Sequence, residues 1–387
     1  MIELVFWICC GLLLYVYVLY PILMRVLAMR FGRPAVRGDA LPTVTIIVTA
    51  YNEEKCITSK LDNLCKLRYP SHLVDILVVS DSSTDLTERL AATYDPERVH
   101  VLRVEGRRGK TACQNAAAAA ASGEILVFTD ATTQVSVDAL HRLVECFVDP
   151  EIGCVGGRLT YVSELNNCTG RGGEIYWSYE LSLRAAESRL GSMIGVSGCL
   201  YAVRKRAYRE INPSLISDFV IAMRMREQGL RTVLAPDATC FEATLERGSH
   251  ELAMRVRVAM RSLDALIRER RFLNPLRYGC FAWQLWSHKV VRYASPVLWL
   301  GALSTNVALA TSNDVALALE GPFYLALLAG QCAVLAAGLL GFVLQSRRRE
   351  LGLLGQPYYF LLTNVASLIA TLRYLQGERM VTWQPIR

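Results

Sequence analysis

An apolar run near the start of the chain is the feature that most limits what this sequence can fold into. No charged residue lies between Leu4 and Met24, and a helix that spans a bilayer needs about 20 such residues. Glu3 is the only charged side chain before this run, and four arginines follow it: Arg25, Arg30, Arg33 and Arg37. Because basic residues gather on the cytoplasmic side, this asymmetry predicts an N-terminus outside and a following domain in the cytoplasm. A cleaved signal peptide is not expected, since the basic n-region and the A-x-A site are absent.

The apolar excess of the chain is concentrated at its two ends. Hydrophobic residues make up 52% of the 387 residues, but the stretch from about Leu41 to Arg271 has ordinary globular character. Three further candidate spans follow it: Ala294–Ala310, Pro322–Leu344 and Pro357–Leu372. Arginines 347 to 349 indicate a cytoplasmic loop, whereas the last and shortest span is alternatively an interfacial or re-entrant segment. The sequence therefore predicts a multi-pass protein of the cell (inner) membrane and leaves the side of the C-terminus open.

Positive charge is concentrated just before the second apolar region. Between Arg247 and Arg292 there are ten Lys or Arg and three Asp or Glu, a net charge of +7 that equals that of the whole chain. Such a belt is typical of a segment that faces anionic lipid. A membrane partner is therefore expected, and no nucleic-acid partner is.

Cysteine and histidine spacing gives no sign of a metal centre. The twelve cysteines form no C-x-x-C pair, and the five histidines stand apart from one another. Neither a zinc site nor a disulfide framework is predicted, because both need regular spacing. Scattered thiols of this kind are most simply small buried apolar residues.

Strand and helix signals alternate regularly after the first apolar run. Short β-branched runs predict strands at Val44–Thr49, Asp75–Ser80, Val99–Val104 and Ile125–Thr129. Helices are predicted at Glu53–Lys66, Thr84–Ala92, Lys110–Ala121 and Val137–Val148. This order predicts an α/β fold, with a mostly parallel sheet covered by helices on both faces. The later part is more helical, with short strands near Leu200–Val203 and Thr232–Leu234.

Acidic residues stand where the predicted strands end or a later helix begins. Glu53 follows the first strand, Asp81 the second, Asp130 closes the fourth, and Asp218 opens a helix. Each position alone is ordinary for a helix N-cap. Ligands bind this type of sheet at the carboxyl ends of its strands. The combination therefore predicts a binding site at that edge.

In these residues the chain resembles the membrane-bound family-2 glycosyltransferases that include the cellulose, chitin and hyaluronan synthases. The similarity covers about Pro42 to Arg271 and implies a nucleotide-sugar domain of the GT-A type. It implies that Glu53 and Asp81 hold the nucleoside, with Tyr51 and Lys110 in the same substrate site.

The resemblance also assigns the residues nearest the chemistry. Asp130 corresponds to the leading aspartate of the family's D-x-D motif and Asp218 to its catalytic base. Arg257 and Arg261 lie where the synthases have Q-x-x-R-W. Thr132 replaces the second aspartate of D-x-D, which removes one charged metal ligand. Because the Gln and Trp of the synthase motif are also absent, single-sugar transfer is as open as processive synthesis.

The chemistry of sugar transfer explains these residue types. Charge develops on the departing nucleoside diphosphate, and Mg²⁺ or Mn²⁺ held by Asp130 is the expected counter-ion. Arg257 and Arg261, four residues apart on a helix, are expected to bind phosphate oxygens. Asp218 is expected to take the proton of the acceptor hydroxyl. A single base without a covalent nucleophile predicts inversion at the anomeric carbon.

The predicted function is that of an inverting hexosyltransferase that uses a nucleotide-sugar donor. The acceptor is a lipid-linked or polysaccharide one at the cytoplasmic membrane face. The chain is then divided into a transmembrane helix (1–30), a GT-A catalytic domain (42–245), basic amphipathic helices (246–292) and a C-terminal transmembrane region (293–387).

Two other functions fit parts of the sequence. The end of a P-loop is similar to Gly109, Lys110 and Thr111, which lie between a predicted strand and a predicted helix. This similarity indicates an ATP-dependent membrane transport protein as one alternative. The full P-loop pattern needs a glycine at the position of Val104. An inactive sugar-nucleotide binder is the second alternative.

Overall fold

The computed structural model describes residues 1–162, 169–243, 248–312, 321–347 and 351–380. Within these residues eight strands form one sheet. The strands are β1 Val44–Ala50, β2 Val74–Ser80, β3 Val99–Arg103, β4 Ile125–Asp130, β5 Gln134–Val135, β6 Ile152–Val162, β7 Leu200–Arg204 and β8 Arg231–Ala243. The α-helices are α1 Ile2–Phe31, α2 Ile57–Cys65, α3 Thr87–Ala91, α4 Lys110–Ala120, α5 Ala139–Val144, α6 Thr169–Leu190, α7 Ser217–Glu227, α8 Gly248–Arg268, α9 Pro275–Tyr278, α10 Cys280–Leu285, α11 Val291–Ala310, α12 Gly321–Ser346 and α13 Gly355–Leu375.

The strands lie in the order β3-β2-β1-β4-β7-β6-β8-β5. Strands β3, β2, β1 and β4 are parallel to one another, as are β6 and β8. Strand β7 is antiparallel to both β4 and β6, and β5 is antiparallel to β8. The predicted α/β fold and the parallel arrangement of the first four strands are confirmed. The other half of the sheet is mixed.

Strand β6 is the largest difference from the sequence-based prediction, which contains no strand there. Its glycines interrupt the β-branched pattern that marks the other strands. At Gly157 a β-carbon would lie 2.8 Å from Cδ2 of Leu200 and 2.9 Å from the carbonyl oxygen of Ala238. Glycine is therefore required by the close packing of β6 against its neighbours. Strand β8 also extends well beyond the predicted Thr232–Leu234.

Apolar cores lie on both faces of the sheet, as predicted. On one face, Ile57 and Leu61 of α2 and Leu143 of α5 pack against the inward side chains of the strands. On the other face, Ala117 of α4 and Val220 of α7 belong to a second core. Burial of side chains on both faces explains why the parallel strands are almost continuously apolar.

Two of the described helices, Ile2–Phe31 and Gly321–Ser346, are long and apolar enough to cross a membrane. They flank the sheet domain in the sequence and pack with α11 and α13. A β-carbon on Gly301 of α11 would lie 3.1 Å from Sγ of Cys9, so α1 and α11 approach closely. Ser295 of α11 donates a hydrogen bond of 2.9 Å to Asn364 of α13. Length and composition make α1 and α12 candidate membrane spans.

A buried network of charged and polar groups fastens the apolar helices to the sheet domain. His288, in the π turn between α10 and α11, contacts Glu187 through Nδ1 and Glu180 through Nε2, both at 2.7 Å. Tyr20 of α1 donates to Glu187 at 2.7 Å, and Arg292 of α11 donates to Glu180 at 2.8 Å. Hydrogen bonds therefore join α1, α6 and α11, in addition to apolar packing.

Candidate active site

Register brings the ends of three parallel strands to one edge of the sheet. Thr49 of β1 is opposite Asp130 of β4, and Ala50 of β1 is opposite Ser80 of β2. The residues that follow these strand ends therefore lie side by side. This is the edge at which the sequence predicts a site.

Asp81 is fully buried and ties β2 to the start of α4. Its Oδ1 accepts a hydrogen bond from the backbone N–H of Arg108 at 2.7 Å, and its Oδ2 accepts one from Gly109 at 3.0 Å. Gly109 has a φ of +91°, a conformation that favours glycine. The carboxylate thus fixes the loop before Lys110, which is a positioning role the sequence does not indicate.

Tyr51 and Glu53 lie beside this loop. The guanidinium of Arg107 stacks on the Tyr51 ring, 3.6 Å from its centroid. Glu53 is buried, and its backbone N–H donates to Thr87 Oγ1 at 2.8 Å. The two residues predicted for nucleoside binding, Glu53 and Asp81, therefore follow neighbouring strands as expected.

Lys110 reaches from the start of α4 to the end of β4. Its ammonium donates a hydrogen bond to Oδ1 of Asp130 and a second, of 3.3 Å, to the carbonyl oxygen of Gly198. Burial alone would lower the pKa of Lys110, but Asp130, Cys199 and Asp218 together outweigh burial and the pKa is raised. The lysine is therefore charged and pairs with Asp130.

Gly198 lies between the two aspartates and the lysine. A β-carbon at this position would lie 2.9 Å from Oδ2 of Asp218 and 3.3 Å from Nζ of Lys110. Lys110, which pairs with Asp130, and Asp218 are distant in sequence and thus meet beside one small backbone position. Any larger residue would push into the space between the carboxylates.

Asp218 stands in the first turn of α7. The N-cap of this helix is Ile216, which makes no side-chain capping bond, so Asp218 is not the capping residue. Burial raises the pKa of the Asp218 carboxyl. Three cations oppose this rise, in decreasing order Lys110, Arg261 and Lys289. A partly buried carboxylate with a raised pKa is a stronger base than one in water.

Arg257 and Arg261 of α8 both turn toward the sheet domain, but toward different carboxylates. Arg261 donates a hydrogen bond of 2.9 Å to the carbonyl oxygen of Leu215, in the loop that leads to Asp218. Burial lowers the pKa of Arg257, and Asp130 and Glu242 act against this. Within the described residues Arg257 has no hydrogen bond or ion pair. It is therefore the arginine of this pair that is open to a ligand.

Two residues beside Asp130 are missed by reasoning from the sequence. Lys60 is fully buried beneath the loop after β4, where its ammonium donates to Thr129 Oγ1 at 2.8 Å and to the carbonyl oxygen of Thr133. Glu242, near the end of β8, accepts a hydrogen bond from Cys199 Sγ at 3.5 Å. Burial raises the pKa of Glu242, and the nearby Asp130 raises it further. No local sequence pattern marks either residue.

With this geometry in place, the sequence can be compared with known proteins. Residues 45–211 match the family model of glycosyl transferase family 2. The segment is a glycosyltransferase family 2 domain. Residues 109–111 lie within this match, which replaces their interpretation as the end of a P-loop.

Curated relatives of this family 2 domain are synthases. A β-monoglucosyldiacylglycerol synthase of Nostoc sp. (strain PCC 7120) is 30% identical over 190 residues, which are 47% of this chain and 40% of the relative. A poly-β-1,6-N-acetyl-D-glucosamine synthase of Staphylococcus aureus (strain COL) is 24% identical over 247 residues, 61% of this chain and 58% of the relative. The chain thus spans about half the length of these curated relatives.

A solved structure with the same fold is the mannosyltransferase PcManGT from Pyrobaculum calidifontis, in complex with GDP-Man and Mn²⁺. It superposes with a TM-score of 0.74 and 24% identity over 98% of this chain and 100% of that protein. The likeness confirms the predicted GT-A type of fold with its flanking apolar helices.

The family implies a divalent cation, and the donor atoms near Asp130 fit one. The Asp130 side chain is 28% exposed, so it is accessible from the open edge of the sheet. Among the described residues no group of three or more His, Cys, Asp or Glu is arranged to hold a metal. A cation here would therefore complete its shell with oxygens of a ligand or water, as Mg²⁺ and Mn²⁺ do at diphosphate sites.

Proposed function

We propose that this protein is an inverting, membrane-bound glycosyltransferase. It moves one sugar from a nucleoside-diphosphate sugar to a lipid or glycan acceptor at the cytoplasmic face. The observation that carries this proposal is the convergence of Lys110, Asp130 and Asp218 around Gly198. This reaction needs a cation, a carboxylate that faces the diphosphate and a second, partly buried carboxylate within one opening.

The donor half of the site is assigned to the edge formed by β1, β2 and β4. Tyr51, Glu53 and Asp81 lie where the nucleoside would bind, and Asp81 also holds the loop before Lys110. Asp130 would hold Mg²⁺ or Mn²⁺, and the cation would neutralise charge on the departing diphosphate. Arg257 is placed to donate to phosphate oxygens, since no described residue occupies its guanidinium.

Asp218 is the general base in this proposal. As the acceptor oxygen forms its bond to the anomeric carbon, its proton passes to a carboxylate oxygen of Asp218. The bond from that carbon to the β-phosphate oxygen breaks, and the nucleoside diphosphate leaves with the electron pair. Attack from the face opposite the leaving group inverts the anomeric carbon. Burial raises the pKa of Asp218, which makes the carboxylate a better proton acceptor.

The acceptor is proposed to arrive from the membrane side. Lys289, in the π turn that continues into α11, lies over the ring of Phe219, 5.2 Å from its centroid. Phe219 directly follows the proposed base. Asp218 is therefore next to the junction of the sheet domain and the apolar helices, where a lipid-anchored hydroxyl has the shortest path. The division into residues 1–30, 42–245, 246–292 and 293–387 belongs to the same proposal.

A donor screen tests the function directly. Full-length protein in detergent is incubated with UDP-glucose, UDP-N-acetylglucosamine or GDP-mannose and a membrane lipid extract, and the released nucleoside diphosphate and glycosylated product are measured. We expect the protein to turn over at least one donor. This turnover should need Mg²⁺ or Mn²⁺ and should be lost in Asp218→Asn. Asp39→Asn, at an exposed position, serves as the matched control. Binding of a donor without turnover would instead support an inactive sugar-nucleotide binder.

A further inference from the structure

The loop after β4 lacks the second carboxylate of a D-x-D motif. Thr132 occupies that position and is exposed, so the loop itself offers a divalent cation only the carboxylate of Asp130. One carboxylate and a diphosphate leave coordination positions that a second protein ligand could fill. Octahedral Mg²⁺ sites at diphosphates commonly use one or two protein carboxylates.

A different strand brings a second carboxylate to this place. Strand β5 pairs with β8 through Gln134 opposite Phe241, and this pairing sets Glu242 against the loop that contains Asp130. Cys199 connects the two: its carbonyl oxygen accepts from Thr129 Oγ1 at 2.9 Å, and its Sγ contacts Glu242 Oε2 at 3.5 Å. Asp130 and Glu242 are therefore close in space although they are far apart in sequence.

The charges around Glu242 favour a cation ligand over a structural ion pair. Within the described residues Glu242 forms no salt bridge, although Lys110 and Arg257 are within electrostatic range. Lys110 is already paired with Asp130. Asp130 and Glu242 are within electrostatic range of each other, and of the two only Asp130 forms an ion pair with a described residue. A divalent ion between them would remove the repulsion.

We propose that Glu242 is the second protein carboxylate at the divalent cation, in place of the aspartate that Thr132 replaces. The ligand set from the protein is then one oxygen each from Asp130 and Glu242, and phosphate oxygens and water complete it. This inference rests on the proposed function, because it assumes that the cation accompanies a nucleoside diphosphate. It differs from a D-x-D site in that its two carboxylates come from opposite halves of the sheet.

Direct measurement of Mn²⁺ binding tests this proposal without relying on activity. Free Mn²⁺ is followed by electron paramagnetic resonance as full-length protein in detergent is titrated, alone and with UDP or GDP. We expect Glu242→Gln to weaken Mn²⁺ binding by about tenfold or more, since even outer-shell changes commonly cost that much. Glu210→Gln, at an exposed glutamate, is the matched control and should bind as the wild type does.

A second variant separates loss of a ligand from loss of structure. Adding Thr132→Asp to Glu242→Gln supplies a carboxylate two residues from Asp130 and should restore Mn²⁺ affinity. Wild-type affinity in Glu242→Gln overturns the proposal, as does a double variant that binds no better than Glu242→Gln. Parallel transfer assays keep the two proposals apart. If the wild type transfers sugar and Glu242→Gln binds Mn²⁺ as the wild type does, only the inference about Glu242 is wrong. If Glu242→Gln loses Mn²⁺ binding but the wild type transfers no sugar, only the proposed function is wrong.

Discussion

The buried lysine beneath the Asp130 loop makes a quantitative prediction about stability and pH. Lys60 is fully buried, and burial lowers the pKa of its ammonium from the usual 10.5 to about 7. Asp130 is the nearest opposing charge and raises the pKa only in part. The unfolded chain therefore holds a proton on Lys60 in a pH range where the folded chain has released it.

The sign and size of the effect follow from that difference. Because the folded pKa lies below the unfolded one, the free energy of unfolding rises with pH between about 7 and 10.5 and is lowest below pH 7. The full interval corresponds to roughly 5 kcal/mol at about 1.4 kcal/mol per pH unit. Between pH 7.0 and 8.5 the expected gain in stability from Lys60 is about 1.5 kcal/mol.

Lys60→Met isolates this contribution. Methionine keeps most of the buried aliphatic volume and has no charge. The variant also removes the donor to the Thr133 carbonyl, which costs about 1–3 kcal/mol but does so equally at both pH values. The other titratable groups are present in both proteins, so the difference between the two pH dependences reports on position 60.

Thermal unfolding in detergent, followed by tryptophan fluorescence at pH 7.0 and 8.5, measures the difference. We expect Tm of the wild type to rise with pH by roughly 3–6 °C more than Tm of Lys60→Met. If the two proteins show the same change in Tm between these pH values, Lys60 is not a buried, titrating group and the reasoning fails.

Three further predictions address the site and its orientation. Asp218→Asn should lower transfer by about 10²–10⁴-fold and leave donor binding nearly intact, because the base acts on the acceptor. Turnover is measured beside the Asp39→Asn control, and a variant that retains a tenth of the wild-type turnover would exclude Asp218 as the base. Arg261→Lys should lower kcat with little change in the donor KM, since the Arg261 guanidinium donates to the Leu215 carbonyl in the loop before the base. An increase in donor KM alone would show that Arg261 binds phosphate instead, as the sequence predicts. A membrane-impermeant maleimide should label Glu97→Cys, at an exposed position of the sheet domain, only after lysis; labelling in intact cells would place the domain outside.

The first half of the sheet could be predicted because its information is local. Each of β1, β2, β3 and β4 is a short β-branched run, and the acidic residues after β1, β2 and β4 are visible in the sequence itself. Parallel order then follows from the helices between the strands. In the second half the sequence predicts β7 and the start of β8 but misses β6. Glycines interrupt the apolar pattern of β6, and the reason for Gly157 is packing against Leu200 and the Ala238 carbonyl.

The native cysteines of the sheet domain affect how membrane topology can be tested by thiol labelling. Cys113 and Cys146 of the sheet domain are both buried. Burial raises the pKa of Cys113, and it raises that of Cys146 to about 11. Neither thiol would react in the folded protein on either side of a membrane. A new cysteine at Glu97 avoids this difficulty because the position is exposed.

The residues that sequence reasoning misses share one physical cause. A lysine in an amphipathic helix such as α2 is expected in solvent, and only the fold reveals that Lys60 points under the loop after β4. Glu242 depends on the pairing of β5 with β8, and β5 has two residues, too few for any periodic signal. The local strand pattern therefore predicts the position of Asp130. Its neighbours Lys60 and Glu242 are brought there by contacts between residues far apart in the sequence. Thr132 removes a carboxylate from the motif, and in the proposal above the carboxylate of Glu242, on a distant strand, takes over its role. If Glu242 holds the cation, the D-x-D pattern alone is an incomplete guide to which members of this family bind a metal.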